Sequence, residues 1–133
     1  MRYFVDTSVW INYFRGNETE KTKALAHLIE SGQPIYSLPV VVQEIMQGFR
    51  SDKDIPKEIV NLEALNFLSF DYQDAVEAAR LYRLLRKSGI TPTTIDLQIA
   101  AVCIKHKLHL LTEDSDFSAM GKKIQLSVVP SSE

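Results

Sequence analysis

Short unbroken apolar runs alternate along the chain with longer stretches whose apolar positions recur at helical spacing. The first run, Tyr3-Phe4-Val5, is aromatic and β-branched, which predicts a strand buried on both faces. It ends on a carboxylate, Asp6. Thr7 and Ser8 follow as good helix N-caps, and Val9-Trp10-Ile11 with Tyr13-Phe14 continue as a helix, so Asp6 falls at a strand-to-helix turn. Residues 17–31 carry Ala24, Leu25, Leu28 and Ile29 at helical spacing, with Gly32 as the stop. Residues 33–37 read as a second strand, and Pro39 suits the first turn of a helix running through Phe49. Val42, Ile45, Met46 and Phe49 form the expected buried stripe of that helix. Glu44 lies about 200° around the helix from Val42 and points away from the stripe.

After a charged link and a short helix over residues 57–65, residues 66–70 predict a third strand, and Asp71 is placed to cap a long helix from Tyr72 to Ser88, ended by Gly89. Thr91-Pro92 opens a further helix to about Lys107. Residues 109–112 follow as a fourth strand, residues 117–120 as a short helix and residues 125–129 as a last strand. No internal repeat or linker interrupts this order. Short strands separated by helices predict βαβ units around a parallel sheet, an α/β fold in a single domain over residues 1–133.

A chain of 133 residues buries roughly two-thirds of its unfolded surface, enough for an ordinary core. Cys103 has no partner for an intrachain disulfide, and no signal-like or membrane-length apolar segment stands out, so the expected setting is the cytoplasm with no membrane contact. With 15 basic and 17 acidic residues the formal charge is −2. That excludes a general electrostatic nucleic-acid binder, and any polyanion must be met by local basic groups or a bound metal. Arg80, Arg83 and Lys87 share one side of the long helix, where they could meet phosphates but read first as a solvated basic face, while Arg86 falls nearer the side of Ala79 and Tyr82, from which it could approach the cleft.

The acids narrow the chemistry. Asp96 lies in Ile95-Asp96-Leu97-Gln98-Ile99-Ala100-Ala101-Val102-Cys103-Ile104, a segment apolar around its whole circumference and therefore central. A bland account makes Asp96 an N-terminal acid favoured by the helix dipole. An ionised carboxylate on a buried helix is nevertheless costly without a cation or several donors. Asp114 and Asp116 follow the fourth strand, as turn and cap residues or as part of a site. Carboxyl ends of parallel strands are where open α/β sheets place their chemistry. If these acids converge, hard oxygen donors without His or Cys select Mg²⁺ or Mn²⁺.

Four stretches carry a family resemblance: Val5-Asp6-Thr7-Ser8-Val9-Trp10-Ile11; Val42-Gln43-Glu44-Ile45-Met46-Gln47-Gly48; residues 89–101; and Leu110-Leu111-Thr112-Glu113-Asp114-Ser115-Asp116-Phe117. In this order and spacing, across nearly the whole chain, they resemble the PIN-domain ribonucleases, and within them the small VapC-like toxins of toxin–antitoxin pairs. The resemblance implies a Rossmann-like parallel sheet of about five strands flanked by helices. It implies a metal site of Asp6, Glu44, Asp96 and Asp114, with Ser8 and Thr112 as polar helpers, Thr7 a possible companion of Ser8, and Asp116 a further candidate ligand. It also implies a homodimer, a VapB-like antitoxin, and cleavage of structured RNA such as tRNA.

Two other classes fit parts of the pattern. Asp6-Thr7-Ser8 after a first strand resembles the Asp-nucleophile phosphohydrolases of the haloacid dehalogenase superfamily, but those want an acid where Ser8 stands. A non-catalytic α/β dimerisation or binding module would use the acids only as caps, which leaves the charge of Asp96 uncompensated.

Overall fold

The computed structural model describes residues 1–131. Its elements are β1 (Tyr3–Val5), α1 (Thr7–Phe14), α2 (Glu20–Glu30), β2 (Ile35–Ser37), α3 (Pro39–Gln47), β3 (Asn66–Phe67), α4 (Tyr72–Lys87), α5 (Thr94–Lys105), β4 (His109–Leu111), α6 (Ser115–Gly121) and β5 (Ser127–Val128). Between α3 and β3 the chain makes two 3₁₀ turns, Asp52–Asp54 and Lys57–Ala64. The five strands form one all-parallel sheet in the order β3-β2-β1-β4-β5, as the α/β expectation requires.

This order has a consequence for the site. From β1 the chain winds outward through β2 and β3, then returns to lay β4 on the other side of β1. The gap between β1 and β4 is therefore the topological switch point, where the connections leaving the two strand ends diverge and open a crevice. Val5 pairs with Leu111, so the next residues in line are Asp6 and Thr112. The Asp6 N–H continues the ladder by donating to the Leu111 carbonyl at 2.9 Å.

The helices end where their chemistry says they should. Thr19 caps α2 with a reciprocal Thr22 bond, Asp71 caps α4 with Asp74, and Thr93 caps α5 with Asp96. Asp74 also binds Lys105 at 2.9 Å across the α4–α5 packing. The backbone N–H of Asp71 and the Lys105 ammonium hold its carboxyl below the ordinary range. Gly32 and Gly89 follow α2 and α4 at φ +68 and +79, the left-handed geometry that closes a helix.

The core joins Phe4 and Val5 of β1, Leu110 and Leu111 of β4, Val41 and Ile45 of α3, and a run from α5 that is buried without interruption from Ile99 to Cys103. Tyr3 is only half-buried, so β1 is fully covered over its last two residues rather than all three. On α3 the buried stripe is Val41 and Ile45; Val42 and Phe49 are half-buried and Met46 is exposed, which corrects the stripe expected from spacing. The shift turns α3 by about one residue and brings Glu44 toward α1 instead of open solvent. Among the described residues no helix is long and apolar enough to cross a membrane.

Candidate active site

Asp6 occupies the N-cap position of α1 but caps nothing: its side chain makes no bond to the helix backbone that would serve as a cap. Instead its Oδ2 accepts two hydroxyl hydrogen bonds, from Ser8 at 2.8 Å and from Thr112 at 2.8 Å. Thr7 donates to Glu44 Oε1, also at 2.8 Å, and so ties α3 to the start of α1. Thr7 and Ser8 were expected as helix caps. Both hydroxyls are spent on carboxylates, because α1 begins one residue earlier than that reading assumed.

The other acids arrive from two further helices. Thr93 and Asp96 form the capping box of α5: the Asp96 N–H donates to Thr93 Oγ1 at 3.2 Å, and the Thr93 N–H donates to Asp96 Oδ2 at 3.4 Å. Asp114 caps α6 by accepting the Asp116 N–H at 2.9 Å, and its own N–H donates to Thr112 Oγ1 at 3.0 Å. Asp96 and Asp114 thus serve as helix caps and also stand at the crevice. The two roles are compatible, since a cap fixes the direction of the carboxylate it uses.

Electrostatics shows which acids share the crevice. Asp6 is 6% exposed, and burial pushes its carboxyl above the ordinary range against the pull of Thr112, Ser8 and the Thr7 backbone, with the Asp114 charge adding to the rise. Asp96 is raised first by burial and then by the charges of Asp6 and Asp114. Cys103, buried on α5, is pushed far up by burial and also feels Asp6, which leaves it an inert thiol. The Asp114 charge therefore reaches both Asp6 and Asp96, and the Asp6 charge reaches Asp96. The ion pairs among the described residues, Arg80–Glu77 and Lys105–Asp74, lie elsewhere, so these acids have no ion-pair partner.

The acids are near one another without being clustered. Among the described residues no three His, Cys, Asp or Glu side chains stand close enough to hold an ion by themselves. Glu44 joins through Thr7. Asp116 is exposed and lines a cleft of about 280 Å³ with Gly89, Ile90, Thr91, Pro92 and Ala119. Arg86 lies over the Tyr82 ring at 5.6 Å, and Arg83 lines an apolar groove that reaches Thr93 and Thr94 beside the α5 N-terminus. Thr93 was not singled out from sequence, although Thr93-Thr94-Ile95-Asp96 has capping-box spacing.

A pH dependence follows. A carboxyl raised by folding stabilises the fold while protonated; that contribution is complete below about pH 4, the ordinary carboxylate range, and is lost as pH rises through the raised pKa. Without divalent ions, the melting temperature of Asp96→Asn should exceed that of the unmodified protein most at neutral pH, and the gap should close on acidification. A gap that does not change with pH would show that Asp96 is not strained by its charge.

Fold and crevice together define a doubly wound α/β protein with carboxylates at its switch point. The chain belongs to the PIN domain family, whose model matches residues 3–123. It is similar to ribonuclease VapC11 of Mycobacterium tuberculosis, 29% identical over 126 residues that cover 89% of this chain and 90% of the relative. In fold it resembles VapBC2 of Rickettsia felis bound to a promoter DNA fragment, with a TM-score of 0.75 at 18% identity over 97% of this chain and 98% of the other. It also resembles M. tuberculosis VapC20, a toxin that cleaves the sarcin–ricin loop, with a TM-score of 0.66 at 20% identity over 90% of this chain and 95% of the other.

Proposed function

We propose that this single PIN domain, residues 1–133, is a divalent-metal-dependent endoribonuclease and the toxin of a toxin–antitoxin pair. The observation that carries the reading is the buried Asp6 carboxylate at the β1–β4 switch point, held by the Ser8 and Thr112 hydroxyls, with Thr112 in turn accepting the Asp114 N–H. Oxygen donors alone suit Mg²⁺ or Mn²⁺. Mg²⁺ usually keeps several waters and takes only one or two carboxylates together with substrate phosphate oxygens, which agrees with acids that are near but not closed on one another.

Asp6, Asp96 and Asp114 would hold the ion, with Glu44 as a fourth oxygen donor or a water-orienting group. When bound, the ion supplies water activation, substrate orientation and charge stabilisation at the leaving oxygen. Ser8 and Thr112 fix the Asp6 carboxylate through Oδ2. On this reading Asp116, which lines a cleft with Gly89 and Pro92, is not a ligand. Arg83, beside the α5 N-terminus, is placed to meet a backbone phosphate.

The VapC11 and VapC20 relatives support an RNA substrate, structured RNA such as tRNA among the candidates, and the VapBC2 complex supports a VapB-like antitoxin partner. We assign the protein to the cytoplasm and to a homodimer on the same reading. The deciding experiment is incubation of the purified chain with total RNA in Mn²⁺, with and without chelator, followed by mapping of new ends. Discrete new ends that vanish with chelator are expected. Intact RNA together with phosphate release from an aryl phosphate would favour the phosphohydrolase class instead.

A further inference from the structure

Glu113 stands in the loop between Thr112 and Asp114, a further negative charge at the rim of a site already crowded with them. Its side chain is engaged on two other elements. Oε1 accepts the Thr19 hydroxyl at 2.8 Å, and Oε2 accepts a longer bond from Asn12 Nδ2 at 3.5 Å. Thr19 is the N-cap of α2, and the Asn12 amide is oriented in turn by Asn17, which donates to its Oδ1 at 3.1 Å. The same residue's backbone N–H donates to Ser8 Oγ at 3.0 Å, and Ser8 donates to Asp6 Oδ2 at 2.8 Å. One residue thereby links α1, the N-terminus of α2 and the β4 loop to the carboxylate at the centre of the crevice.

We propose that Glu113 is a positioning residue for the hydrolysis assigned above, an inference that rests on that assignment. With its side chain anchored on Thr19, its peptide N–H is held where Ser8 needs a donor, and Ser8 keeps its own proton on Asp6. Without the anchor the loop gains freedom, and Ser8, Asp6 and Asp114 lose their mutual alignment. Outer groups that orient metal-site carboxylates are worth about 10- to 100-fold in activity.

The test reverses the polarity of the anchor. On an RNA that the unmodified protein cuts in Mn²⁺, Glu113→Ala should lower kcat by about 10- to 100-fold with KM unchanged. Thr19→Asp keeps a good N-cap for α2 but removes the hydroxyl donor and opposes two carboxylates, and should produce a similar loss. Thr19→Asp combined with Glu113→Gln restores a hydrogen bond, now donated by the Gln amide to Asp, and should recover kcat to within about threefold of the unmodified protein. Each variant is assayed well below its own melting temperature, where general loosening of the fold predicts no loss of kcat. A double variant no better than Thr19→Asp alone, or a Glu113→Ala enzyme as active as the unmodified one, overturns the inference while leaving the nuclease reading intact. Absence of chelator-sensitive cleavage by the unmodified protein overturns both.

Discussion

Asp6→Asn should abolish RNA cleavage, by about a thousandfold or more, and in the same preparation should raise the melting temperature of the metal-free protein. The two effects have one cause. Asp6 is buried, receives hydroxyl bonds on Oδ2 and is repelled by Asp114, so its ionised form is held at a cost that burial makes large. Two carboxylates about 5 Å apart repel by roughly 3 kcal/mol at an effective dielectric of about 20. Asparagine retains a carbonyl oxygen for Ser8 and Thr112 while removing the charge. Loss of activity from misfolding would lower the melting temperature; loss of a ligand in a strained site raises it. Cleavage within tenfold of the unmodified protein, measured on a mapped RNA, would remove Asp6 from the centre of the mechanism.

The parts of this architecture that depend on local chemistry were legible in the sequence. The apolar run closed by Asp6 and the Gly32 and Gly89 stops stand where composition and spacing placed them, while α5 is buried without interruption only from Ile99 to Cys103, with Asp96 half-buried near its N-terminus. The departures come from tertiary contacts. Spacing on α3 permits either Val41 or Val42 in the stripe, and in the folded chain it is Val41 that is buried. Pro92 suggested a helix start, yet α5 begins after Thr93, because the reciprocal Thr93–Asp96 bonds hold it there. β3 and β5 are shorter than their apolar runs, since they lie at the two edges of the sheet with one neighbour each.

The site was legible in its acids and less so in its connections. Asp6, Asp96 and Asp114 could be chosen as carboxylates at strand ends or on a buried helix. Which of Asp114 and Asp116 faces the crevice depends on the turn at Asp114, where capping α6 and the bond of its N–H to Thr112 fix its place. Strand order has no local signature at all. The placement of β4 beside β1, which sets Thr112 opposite Asp6, arises only when the whole chain has wound back across the sheet.

Mn²⁺ should raise the melting temperature of the unmodified protein by roughly 10 °C when present at about a hundred times its dissociation constant. An ion that binds only the folded state at that excess contributes about 2.7 kcal/mol. Domains of this size shift by roughly 3–5 °C per kcal/mol. The ion also offsets the burial, and the smaller repulsion, that hold Asp6 and Asp96 above the ordinary carboxylate range, so the gain should grow as pH rises through those raised values and the acids deprotonate. Because such ions take substrate phosphate oxygens beside one or two carboxylates, a non-cleavable RNA should tighten Mn²⁺ binding reciprocally. Asp96→Asn and Asp6→Asn should each lose most of the thermal shift, whereas Asp116→Asn, outside the interacting set, should keep it. A shift of the same size in all three variants would place the ion elsewhere on the surface and detach the switch-point acids from metal binding. Equal Mn²⁺ affinity with and without RNA would instead show that the protein alone supplies the ligands, with the side chains rearranging to close around the ion.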